Sequence, residues 1–333
     1  MKQPSPIAVI GAGSWGTALA ILLAYNGTPT HLWGHNPEAM REMRSSRYNS
    51  RYLPDIALPE NLQIHTNLAD ALIDVTDLLV AVPSHAFRQT LQAITMHQQQ
   101  NFRIASATKG LDPSTNKLLH EVVAEIFGLD TAFAMLSGPT FAKEVALGLP
   151  TAITLASNNN AFAHDLKTRL NKHLFRVYTS HDILGVEIGG AIKNVLAIAV
   201  GISDGLGFGA NARSALITRG LAEIMRLGFA LGAQRDTFMG LAGMGDLILT
   251  CTDNQSRNRR FGLALGKGAT IHSALQSINQ VVEGLPTAAT VHQLAQKLHI
   301  EMPISEQVYR VLHQGLSPMQ AVQSLFARET KAE

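Results

Sequence analysis

A single cysteine, Cys251, in a chain of 333 residues leaves neither a disulfide framework nor a thiolate metal site. It suits a reducing, cytoplasmic setting. Charge is sparse and balanced: net +2, with Lys and Arg scattered along the chain, so no basic face for nucleic acid is offered. No group of His, Cys and carboxylates has chelating spacing, and His31 and His35 stand too far apart on one strand to share an ion, so no metal is expected. No repeat of solenoid length occurs, and no low-complexity tail beyond residues 328–333. Charge is also missing from residues 4–30, where a hydropathy reading suggests a signal peptide or membrane span. GAGSWG and Asn26-Gly27 interrupt that run and only Lys2 precedes it, which argues against targeting or membrane insertion.

What is present begins with apolar content near one half, 46%, enough for two domains with real cores. The run IAVI, residues 7–10, reads as a buried parallel strand. It leads directly into GAGSWG, with Gly11, Gly13 and Gly16, and then into a helical stretch stopped by Gly27. Strand, G-x-G-x-x-G and helix in succession is the context of a dinucleotide turn. The first glycine makes the bend, the second lets backbone approach a pyrophosphate, and the third lets helix pack on strand. A second strand over residues 30–33 ends in Gly34-His35-Asn36, where NAD-specific sites usually carry Asp or Glu for the ribose 2′-hydroxyl. Without a carboxylate a 2′-phosphate is accepted, with His35 as donor and Arg41 and Arg44 in support. NADP(H), alongside NAD(H), is the expected cofactor; the plain alternative is that His35 only covers the adenine edge.

Residues 51–62 read as a surface loop, with Tyr52 either over the adenosine half or acting as a packing plug. Further strands are expected at 77–82, 102–107, 131–136 and 151–156, with an edge strand at Val177-Tyr178. Helices are expected at 67–71, 87–94, 116–127, 141–146 and 161–171. Lys109 follows a strand end, suited to a nicotinamide or an anionic substrate unless it is a solvated loop lysine. Gly138-Pro139-Thr140 makes a sharp turn whose amides and hydroxyl suit an oxyanion or a substrate hydroxyl. From about residue 183 helical periodicity takes over, with segments near 187–203, 212–231, 236–241, 257–267, 270–276, 284–297 and 304–313. The expected fold is therefore α/β: a Rossmann-like, doubly wound, mostly parallel sheet over residues 1–182, followed by an all-helical domain over 183–333.

The helix at that junction, EIGGAIKNVLAIAVG over 187–201, is apolar nearly all round, yet Lys193 sits in its middle. Hiding an ammonium among Val195, Leu196 and Ile198 is costly without a task. Gly189 and Gly190, on the same face, read as open space beside the amine. The alternative is a lysine that snorkels or pairs with Glu187. Asp246, after LAGMG, binds a ligand hydroxyl, orients a lysine, or simply caps LILTC. Arg257, with Ser256 and Asn258, makes a cradle for a phosphate, which guanidinium grips bidentately, unless this is a solvated turn. Glu283, in VVEG, stands at a helix start, where it can act as a cap.

GAGSWGTALA, SATKGL, LSGPTFAKEVA, EIGGAIKNVLAIA, LAGMGDLILTCT, SRNRRFG and VVEG, in this order, resemble the NAD(P)-dependent glycerol-3-phosphate dehydrogenase family over essentially the whole chain. The turn reads GPT where many members read GPS, which keeps the hydroxyl. The resemblance implies reversible reduction of dihydroxyacetone phosphate to sn-glycerol 3-phosphate, a glycerophospholipid precursor, by a homodimer. It implies Lys193 as general acid/base, and Lys109, Gly138, Thr140, Lys193, Asp246, Ser256, Arg257 and Asn258 as substrate contacts. Ser14, Trp15, His35, Tyr52, Lys109, Ala142, Arg257, Val281 and Glu283 would touch the cofactor beside Gly11, Gly13 and Gly16. The rivals are another two-domain hydroxyacid or sugar-acid-phosphate dehydrogenase, and a non-catalytic NADP(H)-sensing module. The second would not need Lys193, Asp246 and Arg257 together.

Overall fold

The computed structural model describes residues 5–97, 101–172 and 174–329; Lys2 and most of the charged C-terminal segment lie outside them. Two compact units are distinguished: Met1–Thr108 with Lys117–Ile183, and Lys109–Asn116 with Leu184–Glu333. The short segment Lys109–Asn116 thus belongs with the helices, although sheet strands precede and follow it.

In the first unit eight strands form one sheet. Ile7–Ile10 lies inside it, between Thr30–Trp33 and Asp77–Val80. Leu62–His65 flanks Thr30–Trp33 on one side, and Arg103–Ser106 and then Phe133–Ser137 extend the other. All these pairings are parallel. Thr151–Ser157 joins antiparallel, and Phe175–Ser180 runs alongside it as the far edge. The order runs outward in both directions from Ile7–Ile10, so the reversal beside that strand leaves a crevice at the strands' carboxyl ends, where ligands of such sheets bind. All four residues of Ile7–Ile10 are fully buried, as continuous apolar runs are in parallel sheets covered on both faces. Beneath the amino ends, buried Asp77 accepts from Arg103 at 2.6 Å and Arg169 at 3.1 Å. Arg103 also reaches Asp165 at 2.7 Å, fastening helix Asn160–Leu170 to the sheet. Arg103 grips Asp77 through both carboxylate oxygens and Arg169 adds a second cation, the pairing that makes a buried carboxylate tolerable.

The stretch expected to be a loop is ordered. Tyr48–Asn49 and Leu53–Ala57 form a small antiparallel hairpin, and Leu62–His65 is the sheet's edge strand. Its alternating LQIH carries only two inward residues, too short a signal to separate from loop.

The second unit is helical and centres on Ile183–Gly205, buried without a break from Gly185 to Ile198. By length and composition this helix is able to cross a membrane, but 89% of its most apolar window is covered by the rest of the protein. The uncharged N-terminal run, by contrast, resolves into a strand and the twelve-residue helix Ser14–Tyr25.

Helix Arg257–Gly266 crosses Ile183–Gly205 at very short range. A Cβ on Gly201 would stand 2.1 Å from the Arg259 carbonyl oxygen, and one on Gly262 2.1 Å from that of Ile198. Gly205 and Gly266 repeat the contact one turn on, at 2.4 Å and 2.3 Å from the carbonyls of Leu263 and Ile202. Each helix therefore presents a glycine pair four residues apart, and the backbones meet where side chains would have held them off. Around the seam pack Val195, Ile198, Phe261 and Leu265. Three elements here escaped the expected set: the π-helical turn Leu241–Gly245, the helix Asp246–Thr252 and the terminal helix Pro318–Phe326.

Gly262→Ala should lower stability by about 1–3 kcal/mol, the usual cost of forced overpacking, because the new methyl meets backbone. Gly220→Ala, whose methyl would first meet the movable end of the Leu196 side chain, should cost less. Urea denaturation of both variants tests this, and equal costs would overturn the close-approach account.

Candidate active site

Within the first unit the three glycines of GAGSWG have three different surroundings. Gly11 lies at φ +119° and a Cβ there would sit 2.6 Å from the Ala81 carbonyl oxygen, so both the turn and the close approach require glycine. On Gly16 a Cβ would collide with the Gly11 carbonyl at 1.9 Å. Gly13 has nothing within 4 Å of where its Cβ would be. Helix Ser14–Tyr25 begins just after it, with no side-chain cap and no acid in its first turn, so its amide end carries an uncompensated positive pole. Trp15 adds a buried indole N–H with no hydrogen-bond partner among the described residues. Open backbone, an uncapped helix start and a spare donor fit an anionic pyrophosphate.

At the adenosine end His35 is exposed and followed by Asn36, whose side chain caps helix Pro37–Ser46 by accepting from the Glu38 and Ala39 amides at 3.0 Å and 3.1 Å. Arg41 is exposed. Arg44 is less free than expected, since its Nε donates to the Ile64 carbonyl at 2.9 Å. Tyr52 is half-buried in the hairpin with the Arg51 guanidinium 5.3 Å from its ring centre. Ala142 opens the short helix Ala142–Ala146 and, with Trp15, packs against the core of this unit. Gly138 is buried at the end of Phe133–Ser137, where a Cβ would come within 3.1 Å of Ile153. The Thr140 hydroxyl donates back to the Gly138 carbonyl at 3.1 Å, closing the GPT turn.

Within the helical unit three expected residues converge. Lys193, 5% exposed, donates to the Asp246 carboxylate and to the Thr250 hydroxyl at 2.9 Å. The other Asp246 oxygen accepts from Lys109 at 2.7 Å, so one buried carboxylate bridges two ammoniums. Lys109 is accordingly an ion-pair partner, and its side chain is only 16% exposed. Asp246 is the first residue of its helix, where Gly245 holds the cap position, so its carboxylate is spent on lysines. Thr250 lies one turn along the same helix face and returns its own proton to the Asp246 carbonyl at 2.6 Å. Burial pulls the Lys193 ammonium down to about 7; Asp246 opposes that, and Lys109 reinforces it. For Asp246 burial works upward, but the two lysines outweigh it and hold the carboxyl below its usual range. Cys251, next to Thr250, is pushed up to about 12 by burial, which makes it an inert thiol.

The space expected at Gly189 is taken: a Cβ there would stand 2.5 Å from the Ala242 carbonyl oxygen. The glycine lets the π-helical turn press against the Lys193 helix, and so positions Asp246 without opening room for a ligand.

The third group braces itself. The Ser256 hydroxyl caps helix Arg257–Gly266, accepting from the Arg259 amide at 3.2 Å. Asn258 donates to Asn194, the neighbour of Lys193, at 2.9 Å, and its carbonyl accepts from the Gly284 amide at 2.9 Å. Arg257 is half-buried at the first position of that helix. Arg259, to which no role was given from the sequence, is buried: it donates to the Cys251 carbonyl at 3.0 Å, to Asn254, and to Asp204 at 2.5 Å. Glu283 occupies the cap position of Gly284–Lys297 without a side-chain cap bond, and Val281 is exposed. Thr250 and Asn194 were missed; their signals, an i+4 position from Asp246 and adjacency to Lys193, become legible only once the partner is known. Among the described residues no group of three or more His, Cys, Asp or Glu side chains is placed to hold a metal.

A nucleotide turn in a doubly wound sheet, followed by a helical unit that buries a lysine against a carboxylate, defines a dinucleotide-dependent oxidoreductase of the two-domain kind. Comparison narrows the class. The family models for the N-terminus and C-terminus of NAD-dependent glycerol-3-phosphate dehydrogenase match residues 6–163 and 182–323, and the chain belongs to that family. A glycerol-3-phosphate dehydrogenase [NAD(P)+] of Haemophilus influenzae is 55% identical over all of both chains. One from Pasteurella multocida is 55% identical over 99% of this chain and 98% of its own. The crystal structure of glycerol-3-phosphate dehydrogenase from Coxiella burnetii superposes with a TM-score of 0.95 at 52% identity, covering 97% of this chain and 99% of the other. The fold extends to a D-mandelate dehydrogenase at 13% identity and a TM-score of 0.63.

Asp246→Asn removes the charge that holds the proton on Lys193 while Lys109 keeps repelling it. The acid-to-neutral transition of Lys193 should therefore move to lower pH, visible as a displaced limb in the pH dependence of kcat/KM. An unmoved limb with only a uniform loss of rate would overturn the assigned role of Asp246.

Proposed function

We propose that the protein reduces dihydroxyacetone phosphate to sn-glycerol 3-phosphate, and catalyses the reverse, with Lys193 as proton donor and acceptor. One observation carries this reading: a buried ammonium, lowered toward neutrality, sits on a carboxylate shared with a second lysine. NAD(P)H, when bound, supplies the hydride. Hydride delivery to a ketone builds negative charge on the carbonyl oxygen, and a positioned ammonium both offsets that charge and can surrender a proton to it. In the oxidising direction neutral Lys193 accepts the alcohol proton. Asp246 fixes where the amine points and stops burial from stripping its proton altogether, and Thr250 limits its rotation.

Arg257 is assigned to the substrate phosphate, together with Ser256, Asn258 and the amide end of their helix. Binding energy from that remote group then orients the reacting carbon. The brace from Asn258 to Asn194 supports this, because it ties the phosphate end to the residue next to the acid. On the nucleotide side Gly11, Gly13, Ser14, Trp15 and Gly16 hold the pyrophosphate, with Ala142 beside them. His35 and Tyr52 serve the adenosine half, and Val281 and Glu283 border the cofactor. Gly34-His35-Asn36 at the end of the second strand carries no carboxylate to repel a 2′-phosphate, so NADP(H) and NAD(H) are both used. Lys109, Gly138 and Thr140 complete the substrate contacts. Action as a cytoplasmic homodimer feeding glycerophospholipid synthesis belongs to the same reading.

Lys193→Ala should reduce kcat by roughly 10²–10⁴, the usual share of a general acid, with NADPH affinity nearly kept; near-normal turnover would refute the role. For the wild type the sign of the pH dependence is fixed by the lowered lysine. Reduction needs the ammonium, so its rate should fall as pH rises through about 7, whereas oxidation should rise over the same interval. Parallel profiles in the two directions would count against Lys193. Arg257→Ala should chiefly raise KM for the phosphorylated ketone, and wild-type turnover of unphosphorylated dihydroxyacetone at comparable kcat/KM would remove the phosphate cradle.

A further inference from the structure

The side chain of Asn49, 4% exposed in the hairpin beside the sheet, makes two hydrogen bonds that no motif explains. Its Nδ2 donates to the Ala12 carbonyl at 3.0 Å and to the Thr17 hydroxyl at 2.8 Å. Ala12 is the middle residue of Gly11-Ala12-Gly13, and Thr17 lies in the first turn and a half of helix Ser14–Tyr25. An amide nitrogen has two protons, so both are committed to the dinucleotide turn, one at its apex and one at its helical exit.

Peptide geometry carries the effect of these bonds to the neighbouring amide. In a trans peptide the C=O of Ala12 and the N–H of Gly13 point in opposite directions across one rigid plane. Holding the carbonyl on Asn49 therefore pins the Gly13 N–H away from Asn49, in a segment where glycines on both sides would otherwise allow the plane to rotate. The Thr17 bond fixes the helix start in the same frame, while the Thr17 amide closes onto the Gly13 carbonyl at 3.0 Å. Asn49 is itself held. Its carbonyl accepts from the Tyr52 amide at 3.1 Å, and the Arg47 carbonyl accepts from the Leu58 amide at 2.8 Å, closing the hairpin.

We propose that Asn49 is a positioning residue for the cofactor, a clamp that pre-sets the Ala12–Gly13 peptide for the pyrophosphate. The inference rests on the nucleotide reading of GAGSWG, and tight NADPH binding by the wild type is the control that separates failure of that reading from failure of this one. Pre-set donors raise affinity by removing the ordering cost at binding, so the loss should follow the pyrophosphate.

The test measures direct binding by calorimetry for NADPH, for 2′-phospho-ADP-ribose and for 2′-AMP, which lacks the pyrophosphate. In Asn49→Ala the dissociation constants of the first two should rise roughly tenfold, the worth of one or two neutral hydrogen bonds. That of 2′-AMP should stay within about twofold. Asn49→Asp, which turns an acceptor toward the Ala12 carbonyl, should weaken the first two further still. If Asn49→Asp fails to fold, Asn49→Ala and Thr17→Val carry the test, with the same selectivity expected and a smaller loss for Thr17→Val. Unchanged NADPH binding would overturn the proposal, and so would equal weakening of all three ligands, which marks a merely structural asparagine.

Discussion

An ammonium buried in an apolar helix is the constraint on which the helical unit depends. Desolvating a charged group costs several kcal/mol even after relaxation. The remedy comes from elsewhere in the chain: a carboxylate at the start of another helix, a hydroxyl one turn beyond, and a lysine from a segment that leaves the sheet to join the helices. Adding Lys109 looks counterproductive, since a second cation repels the first. Its effect is to share Asp246, so that neither lysine is fully neutralised and Lys193 stays close to giving up its proton. A single tight pair would have been more stable and a poorer acid.

The glycine seam serves the same group from the other side. Gly201 and Gly205 against Gly262 and Gly266 bring two helices to backbone contact, and the Asn258–Asn194 bond forms across that crossing. Arg259, buried on Asp204, fastens the loop ahead of the helix. The residues assigned to phosphate and proton therefore hang on one short joint of backbone contact and a buried amide–amide bond. Rigid support of this kind is what positions groups to the fraction of an ångström that catalysis requires.

Much of this was legible in the chain itself. IAVI followed by GAGSWG specified strand, turn and helix start because Gly11 takes a positive φ and Gly16 lies against the Gly11 carbonyl, demands written in nearby residues. Lys193 was conspicuous because an ammonium in the middle of a helix apolar nearly all round is costly to hide, although the chain alone left snorkelling or pairing with Glu187 open. What stayed hidden was whatever depends on a partner distant in the chain. Asn49 is an ordinary loop asparagine until folding brings it to Ala12, 37 residues away. Arg259 carried no signal of its own because its burial is decided by Asp204, 55 residues away, not by the basic run it belongs to. Gly189 misled for the same reason: a missing side chain reads as space, and only the packed structure reveals that the Ala242 backbone fills it.

The π-helical turn Leu241–Gly245 counts residues. Its bond from the Gly245 amide to the Gly240 carbonyl, at 3.1 Å, spans one residue more than an α-helical bond, and the surplus residue sets the phase of everything after it. Each residue added to or taken from a helix rotates the downstream side chains by about 100° around the axis. Deleting one residue between Gly240 and Asp246 would either rewind this turn to an α-helix or swing Asp246 and Thr250 together off Lys193, while leaving composition and hydropathy almost untouched. The spacing of LAGMGD, as much as its letters, thus sets where the Asp246 carboxylate meets Lys193.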